Sequence, residues 1–123
     1  MRITKVQRAE LREKFGGRCA YCGCELGERW HADHFEPVIR LDDERIAENL
    51  QNHTIGNMMP ACVPCNLSKG RQTLEGWREW IAGHIASLNA YHPIYRISKV
   101  YGLIEETGKP VTFYFERLKQ NPA

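Results

Sequence analysis

Apolar positions recur at helical spacing near both ends of this 123-residue chain and alternate only briefly in its middle. Thr4 and Gln7 have the spacing of a helix capping box, and Gly16 is expected to end that first helix. The apolar face of the helix is expected to contain Val6, Ala9 and Phe15. The stretch Arg29 to Phe35 has the composition of a strand, which Pro37 would close.

Helical spacing returns in the second half of the chain. Thr73 is the expected N-cap of a helix whose apolar positions are Leu74, Trp77, Ile81, Ile85 and Leu88. Pro93 can begin another helix, with one side formed by Ile94, Ile97, Val100 or Tyr101, and Ile104. Val111, Phe113 and Phe115 alternate as in an edge strand. The segment between the first strand and this half is less regular, although Asp42 to Leu50 could form a short helix.

Charge is distributed unevenly along the chain, although the formal net charge is only +2. Residues 1–18 carry a net charge of +4, residues 19–58 carry −5 and residues 59–123 carry +3. The near-neutral total argues against a polybasic protein that wraps nucleic acid. An acidic centre between basic flanks fits a cation site with anion-binding edges, but short charge blocks are also typical of solvated surfaces.

Four of the five cysteines form two Cys-x-x-Cys pairs, Cys19/Cys22 and Cys62/Cys65. Each pair forms a turn, here called a knuckle, that can direct two thiolates at one cation. Two knuckles together give the four-sulfur shell that zinc prefers. The alternatives are a redox dithiol or buried free cysteines. Cys24 could replace Cys22 as a ligand, but the symmetric spacing favours Cys22. Because a closed four-thiolate site has no open coordination position, this zinc would stabilise the fold, and function must lie in the segment between the pairs.

That segment and the second knuckle contain a further set of polar residues: Asp33, His34, Asn57, Asn66 and Lys69. A neutral imidazole at His34 can act as a general base. Carboxylate and amide oxygens, here from Asp33 and Asn66, are hard ligands suited to Mg²⁺ or Mn²⁺. Each residue also has a simpler interpretation, as a packed histidine, a carboxylate that only orients a histidine, or turn and cap residues. His31 and His53 remain open between a phosphate or metal contact and a surface position.

The linked pattern Asp33-His34, Asn57 and Cys62-x-x-Cys65-Asn66-x-x-Lys69 resembles the zinc-knuckle branch of the HNH endonucleases over residues 5–80. The resemblance implies a ββα-metal core, in which a two-stranded hairpin and a helix hold a catalytic cation. His34 would lie on the first strand, Asn57 in the loop or second strand, and Asn66 on the helix. Residues 37–57 are longer than in compact members of the family, so Asn49 and Asn52 compete for the place of Asn57, and the spacing to Cys62 favours Asn57.

The resemblance implies metal-dependent cleavage of DNA, with His34 as the general base and Asp33 and Asn66 on a Mg²⁺ or Mn²⁺ ion. Asn57 would form hydrogen bonds across the hairpin and hold the loop behind His34. The basic residues expected to contact DNA phosphates are Lys69, Arg71, Arg8 and Arg12. Lys69 and Arg71 could instead be solvated.

The sequence therefore predicts an α+β protein with a ββα-metal, treble-clef-like core, one structural four-cysteine zinc, flanking helices and a C-terminal helix-strand extension. Residues 1–90 would form the nuclease domain with its N-terminal helix, and residues 91–123 an extension packed on the same domain. No apolar run is long enough for a membrane span, and no secretory signal is evident, so a cytoplasmic location is expected. A homodimer is possible. The alternatives are a non-catalytic four-cysteine zinc module that binds nucleic acid and a zinc-stabilised protein-interaction module.

Overall fold

The structure is a computed structural model that describes residues 3–36, 39–40, 47–48 and 55–120. Its contacts divide the chain into two compact units. Unit 1 contains Met1–Leu74 and Thr112–Ala123, and unit 2 contains Glu75–Val111. The predicted assignment of residues 1–90 to a nuclease domain and 91–123 to an extension stays a prediction.

Unit 1 contains helices and short antiparallel strands, whereas the regular elements of unit 2, which is described throughout, are helices. In chain order the elements are α1 (Lys5–Glu13), β1 (Trp30–His34), β2 (Ile39–Arg40), β3 (Ala47–Glu48), β4 (Met58–Cys62), α2 (Val63–Lys69), α3 (Leu74–Ala82), α4 (His84–Tyr91), α5 (Pro93–Val100) and α6 (Tyr114–Gln120). Among the helices that the structure describes, none is long and apolar enough to cross a membrane.

The capping box predicted for α1 is confirmed. The Gln7 amide donates to the Thr4 hydroxyl, and the Gln7 side chain accepts from the Thr4 amide. The predicted apolar face is wrong, because Val6 is 68% exposed and Leu11 is the buried residue of the helix. Long basic side chains attach this helix to the domain instead. The Arg8 guanidinium stacks over the Trp30 ring at 3.9 Å and donates to the Trp30 carbonyl.

An antiparallel pair, β1 and β4, forms the centre of unit 1. Trp30 pairs with Cys62 and His34 with Met58, so the last residue of β4 is a knuckle cysteine. The strand is followed directly by α2, which begins at Val63. Pro64 is tolerated in the first turn of this helix, because amides there have no hydrogen-bond acceptor within the helix. Helix α2 packs against both strands. Two antiparallel strands followed by a helix therefore place Cys62, Cys65 and Asn66 beside β1.

The segment between β1 and β4 contains a second short antiparallel pair. Ile39 pairs with Glu48 and Arg40 with Ala47. The prediction of a helix over 42–50 is therefore wrong at residues 47 and 48, which are extended and paired. The rest of that predicted helix, together with Pro37, Asn49, Asn52 and His53, lies outside the described residues.

The C-terminal segment returns to the first knuckle rather than forming the predicted strand over 111–115. The Tyr114 amide donates to the Tyr21 carbonyl and the Phe115 amide to the Ala20 carbonyl, both at 2.9 Å. Helix α6 begins at Tyr114, and the Glu116 side chain accepts a hydrogen bond from the Phe113 amide. Phe113 and Phe115 are buried and meet the Tyr21 ring edge to face. Alternation of aromatic residues here reflects packing at a helix N-terminus, not a sheet.

Unit 2 contains most of α3 with α4, α5 and the segment that follows them. The predicted helix over 74–88 is interrupted at Gly83, where α3 ends and α4 starts. The start of a helix at Pro93 is confirmed by α5. One carboxylate oxygen, Oε2 of Glu106, accepts hydrogen bonds from side chains on both later helices: Asn89, Tyr95 and Lys99. Those three bonds, first that from Lys99, lower the pKa of Glu106 to about 2.

Phe115 packs on Tyr21 of the first knuckle, so removing the Phe115 ring is expected to lower stability strongly. Phe115→Ala should lower the free energy of unfolding by about 3–5 kcal/mol, because a buried ring is replaced by a cavity. Urea unfolding monitored by circular dichroism measures the change. Val6→Ala, an apolar truncation at an exposed site, is the matched control and should change stability by less than about 0.5 kcal/mol. Equal stabilities for both variants would contradict this role of Phe115.

Candidate functional site

The two knuckles converge on one point of unit 1. The first is a tight turn after α1, in which the Cys19 amide donates to the Cys24 carbonyl and the Gly23 amide to the Cys19 carbonyl. Gly23 has a φ of +80°, and a Cβ there would lie 2.8 Å from the Tyr114 ring, so the turn requires glycine. The second knuckle is the junction of β4 and α2. Within the described chain, the four sulfurs of Cys19, Cys22, Cys62 and Cys65 all lie within 4.8 Å of one another.

The pKa values of Cys19 and Cys65 are shifted in opposite directions. A hydrogen bond from Cys65 is the main reason that the pKa of Cys19 is lowered to about 4, against the opposing effect of burial. The same bond, followed by burial, raises the pKa of Cys65. Thiolates are the form that binds metals, so the cluster already favours one ligand in its binding state.

Of the two candidates, Cys22 and not Cys24 belongs to this group of four, so the geometry agrees with the choice of Cys22. Cys24 lies next to the cluster, where burial and then a hydrogen bond with Cys22 raise its pKa to about 12.

Asp33 is buried beside the cysteine cluster rather than open to solvent. Its Oδ2 oxygen accepts a hydrogen bond from the Tyr21 hydroxyl at 2.5 Å and lies 3.2 Å from the Lys69 ammonium nitrogen. Burial, and then the Asp33 charge, raise the pKa of Tyr21, which keeps the hydroxyl protonated as the donor. Both contacts use Oδ2, and Oδ1 takes part in neither.

Lys69 has no exposed side-chain surface. Besides its ion pair with Asp33, its ammonium donates to the His34 carbonyl at 2.9 Å. The predicted DNA contact by Lys69 is therefore wrong in this fold, because a phosphate cannot reach a fully buried ammonium group. Its place at the end of α2 directs it inward, where it connects α2 to β1.

The backbone around His34 is held on both sides. Lys69 binds the His34 carbonyl, and the Asn57 carbonyl accepts from the Phe35 amide at 2.7 Å. The Asn57 side chain then binds Glu36 twice, accepting from its amide at 2.9 Å and donating to its carbonyl at 2.8 Å. These are the cross-hairpin hydrogen bonds that the family resemblance implied for Asn57. His34 itself is half-buried at the end of β1.

The remaining predicted residues occupy different environments. Asn66 is half-buried on α2, directly after the fourth cysteine. Arg71 follows the helix and is exposed. Arg12, like Arg8, binds backbone carbonyls of unit 1: its guanidinium donates to Leu26 at 2.6 Å and Gly27 at 2.9 Å. Sequence reasoning placed both arginines on DNA because charge alone does not reveal which carbonyls lie nearby.

Tyr21 is the site residue that the sequence analysis missed. It lies inside the first Cys-x-x-Cys pair, where it contacts Asp33 through its hydroxyl and Phe113 through its ring. The sequence around Tyr21 gives no sign of these contacts, because Asp33 is 12 positions away and Phe113 is 92 positions away. Only the fold brings the first knuckle, β1 and the C-terminal segment together.

The Asp33–Lys69 pair predicts a distinct stability profile. Lys69→Met should lower the free energy of unfolding by about 3–5 kcal/mol, because it leaves a buried carboxylate without its counter-charge. The double variant Asp33→Asn/Lys69→Met should recover part of that loss. Arg71→Met, an exposed cation two residues away, should stay within about 0.5 kcal/mol of the wild type in urea unfolding. Wild-type stability in Lys69→Met would contradict the structural role of this lysine.

The family model for HNH endonucleases matches residues 19–72. A curated protein of Bacillus subtilis (strain 168), named "SPbeta prophage-derived putative HNH endonuclease YoqL", is 30% identical over 77 residues. The aligned segment covers 61% of this chain and 33% of the relative, so this chain spans about a third of the length of that protein. No solved structure matches the chain.

The matched segment begins at Cys19 and ends after α2. It includes all four clustered cysteines, β1 with Asp33 and His34, and the Asn57 contact across the hairpin. HNH endonucleases act on nucleic acid, and the four-cysteine cluster fits a metal-binding fold of mixed helices and a small antiparallel sheet. Residues 19–72 of this chain are therefore similar to the HNH endonuclease family.

Proposed function

We propose that this chain is a metal-dependent endonuclease that hydrolyses DNA phosphodiester bonds, with His34 as the general base. The observation that carries the proposal is the fixed backbone at residues 34–36, which Lys69 and Asn57 bind through three side-chain hydrogen bonds. A base that removes a proton from water must be positioned within a few tenths of an ångström. Two side chains that bind this backbone are consistent with such positioning.

His34 takes the proton of the attacking water in this mechanism. A neutral imidazole is suited to that step, because its usual pKa lies near the operating pH. Asn57 acts as a positioning residue through the backbone of Glu36, and Lys69 does so through the carbonyl of His34 itself. Neither side chain needs to touch the substrate.

Asp33 and Asn66 are proposed to hold the catalytic cation, Mg²⁺ or Mn²⁺. The donor set fits, because α2 packs against β1 and both residues offer the oxygen ligands these ions prefer. Tyr21 and Lys69 fix the Asp33 carboxylate by its Oδ2 atom, which leaves Oδ1 as the oxygen for the ion. When bound, such a cation supplies charge stabilisation at the scissile phosphate and the leaving oxygen.

The four-cysteine cluster is proposed to hold a structural zinc ion. A tetrahedral site with bonds of about 2.3 Å places its sulfurs about 3.8 Å apart. The separation of 3.7 Å between the Cys22 and Cys62 sulfurs agrees with that edge. With four thiolate ligands the shell is closed, so this ion would join the knuckles and take no part in hydrolysis.

DNA contacts are proposed for Arg71, the exposed cation that follows α2. Arg8 and Arg12 donate hydrogen bonds to backbone carbonyls of unit 1. Any contact of theirs with a phosphate would use their other N–H groups. The cytoplasmic location and the homodimer stay predictions. The alternative function is a four-cysteine zinc module that binds nucleic acid without cutting it, and the third is a protein-interaction module.

A plasmid-cleavage assay separates these functions. The wild-type chain should cut plasmid with Mg²⁺ or Mn²⁺, and His34→Ala should reduce the rate at least ~100-fold, because the proton acceptor is lost. His31→Ala is the matched control, since it removes an exposed imidazole from the same strand and should leave the rate unchanged.

Three results would count against the enzyme. These are an uncut plasmid with every divalent metal, equal rates for wild type and His34→Ala, and equal losses in both histidine variants. Gel-shift binding to DNA without any cleavage would favour the non-catalytic module. Neither binding nor cleavage would favour the protein-interaction module.

Metal analysis tests the structural site separately. We expect about one tightly held zinc per chain in the wild type and Cys24→Ser, and none in Cys62→Ser. Loss of the ion should unfold unit 1, because zinc binding to such sites contributes about 10 kcal/mol. Circular dichroism with and without a strong chelator measures that loss. A metal-free, fully folded Cys62→Ser variant would contradict the proposal.

A further inference from the structure

Tyr21 is held through its backbone, its ring and its hydroxyl. Its amide donates to the Cys19 sulfur at 3.4 Å, so its backbone is part of the first knuckle. Its ring is buried and lies edge to face against Phe113 and Phe115. With the backbone and the ring fixed in this way, the hydroxyl has little freedom of direction, and it points at Asp33.

The contacts of Asp33 fall on one of its two carboxylate oxygens. Oδ2 accepts the hydrogen bond of the Tyr21 hydroxyl at 2.5 Å and lies 3.2 Å from the Lys69 ammonium nitrogen. An ionised carboxylate has about four lone-pair sites, two on each oxygen. The two donors therefore use the capacity of Oδ2. Asp33 keeps an exposed fraction of 6%, and Oδ1 is the oxygen that remains for a ligand at this opening.

Divalent cations differ in how they use a carboxylate. Ca²⁺ binds roughly six to eight oxygens and often takes both oxygens of one carboxylate. Mg²⁺ requires an octahedral shell, keeps several waters and dispenses with a second oxygen from the same group. An aspartate with one engaged oxygen therefore meets the requirement of the smaller ion and only part of the requirement of the larger one.

We propose that Tyr21 determines the metal specificity of the cation site, because it restricts Asp33 to one ligand oxygen and so favours Mg²⁺ and Mn²⁺ over Ca²⁺. The inference rests on the proposed assignment of Asp33 to the catalytic cation. Tyr21 acts through Asp33, so it is a positioning residue that does not touch the ion. Lys69 engages the same oxygen, but it is also the counter-charge of Asp33 and a partner of the His34 carbonyl. Removing the Tyr21 hydroxyl is therefore the cleaner change.

Competition for bound Mn²⁺ tests the proposal on the zinc-loaded full chain. Electron paramagnetic resonance measures free Mn²⁺ while Mg²⁺ or Ca²⁺ is added, which gives a dissociation constant for each ion without any cleavage assay. In the wild type, Mg²⁺ should displace Mn²⁺ at lower concentrations than Ca²⁺ does. Tyr21→Phe should shift the ratio of the Ca²⁺ and Mg²⁺ dissociation constants about 10-fold in favour of Ca²⁺, because it frees a lone-pair site on Oδ2 and keeps the ring.

Tyr114→Phe is the matched control. It removes a phenolic hydroxyl from another ring beside the first knuckle, next to Gly23, and should leave the ratio at its wild-type value. A purely structural role of Tyr21 would weaken the binding of both ions together and would not move the ratio. Circular dichroism verifies the fold of each variant.

Asp33→Asn separates this inference from the rest of the proposed function. This variant should lose Mn²⁺ binding, and binding that survives it would overturn both the cation assignment and the inference. Loss of binding in Asp33→Asn combined with an unchanged ratio in Tyr21→Phe would overturn the inference alone. A wild type that binds Ca²⁺ as tightly as Mg²⁺ would do the same, and that comparison decides without any variant. The expected shift in a chain that cuts no plasmid would overturn the endonuclease and support the inference.

Discussion

Convergence of the two Cys-x-x-Cys pairs is the constraint on which unit 1 depends. Cys22 and Cys62 are 40 residues apart in sequence, yet their sulfurs are 3.7 Å apart. Bringing them together fixes both ends of the inserted segment, so β1 leaves the cluster beside the strand that returns to it. A cation held by the four sulfurs would supply the free energy that closure of so long a loop requires. Three residues of the proposed active site, Asp33, His34 and Asn57, lie within the loop that is closed in this way.

A buried ion pair then connects the cluster to the candidate active site. Asp33 lies between Tyr21 of the first knuckle and Lys69 of α2, and Lys69 also reaches the backbone of His34. Burying these charges is expensive, and it is tolerable because Asp33 and Lys69 are paired and both form further hydrogen bonds. The same contacts that stabilise the packing of α2 on β1 therefore also fix the backbone at His34. Stability and the proposed positioning of His34 as a base therefore depend on one set of side chains.

Unit 2 differs physically from unit 1. Unit 1 has two knuckles, a strand pair and an aromatic cluster around Tyr21. Unit 2 relies on a polar centre at Glu106 and buries two large side chains. Several of its apolar residues, among them Ile94, Val100 and Leu103, are largely exposed.

The sequence by itself determined the features that depend on local chemistry and short spacing. Examples are the capping box at Thr4, the helix start at Pro93, the two knuckles and the family pattern around His34. Only the tertiary structure decided which face of each helix is buried, that Lys69 turns inward to Asp33, and that Phe113 and Phe115 pack on Tyr21 at the start of a helix. Spacing specifies which residues share a face or a turn, because local geometry is periodic. It does not specify which distant carboxylate or ring lies opposite, because that depends on how the elements pack.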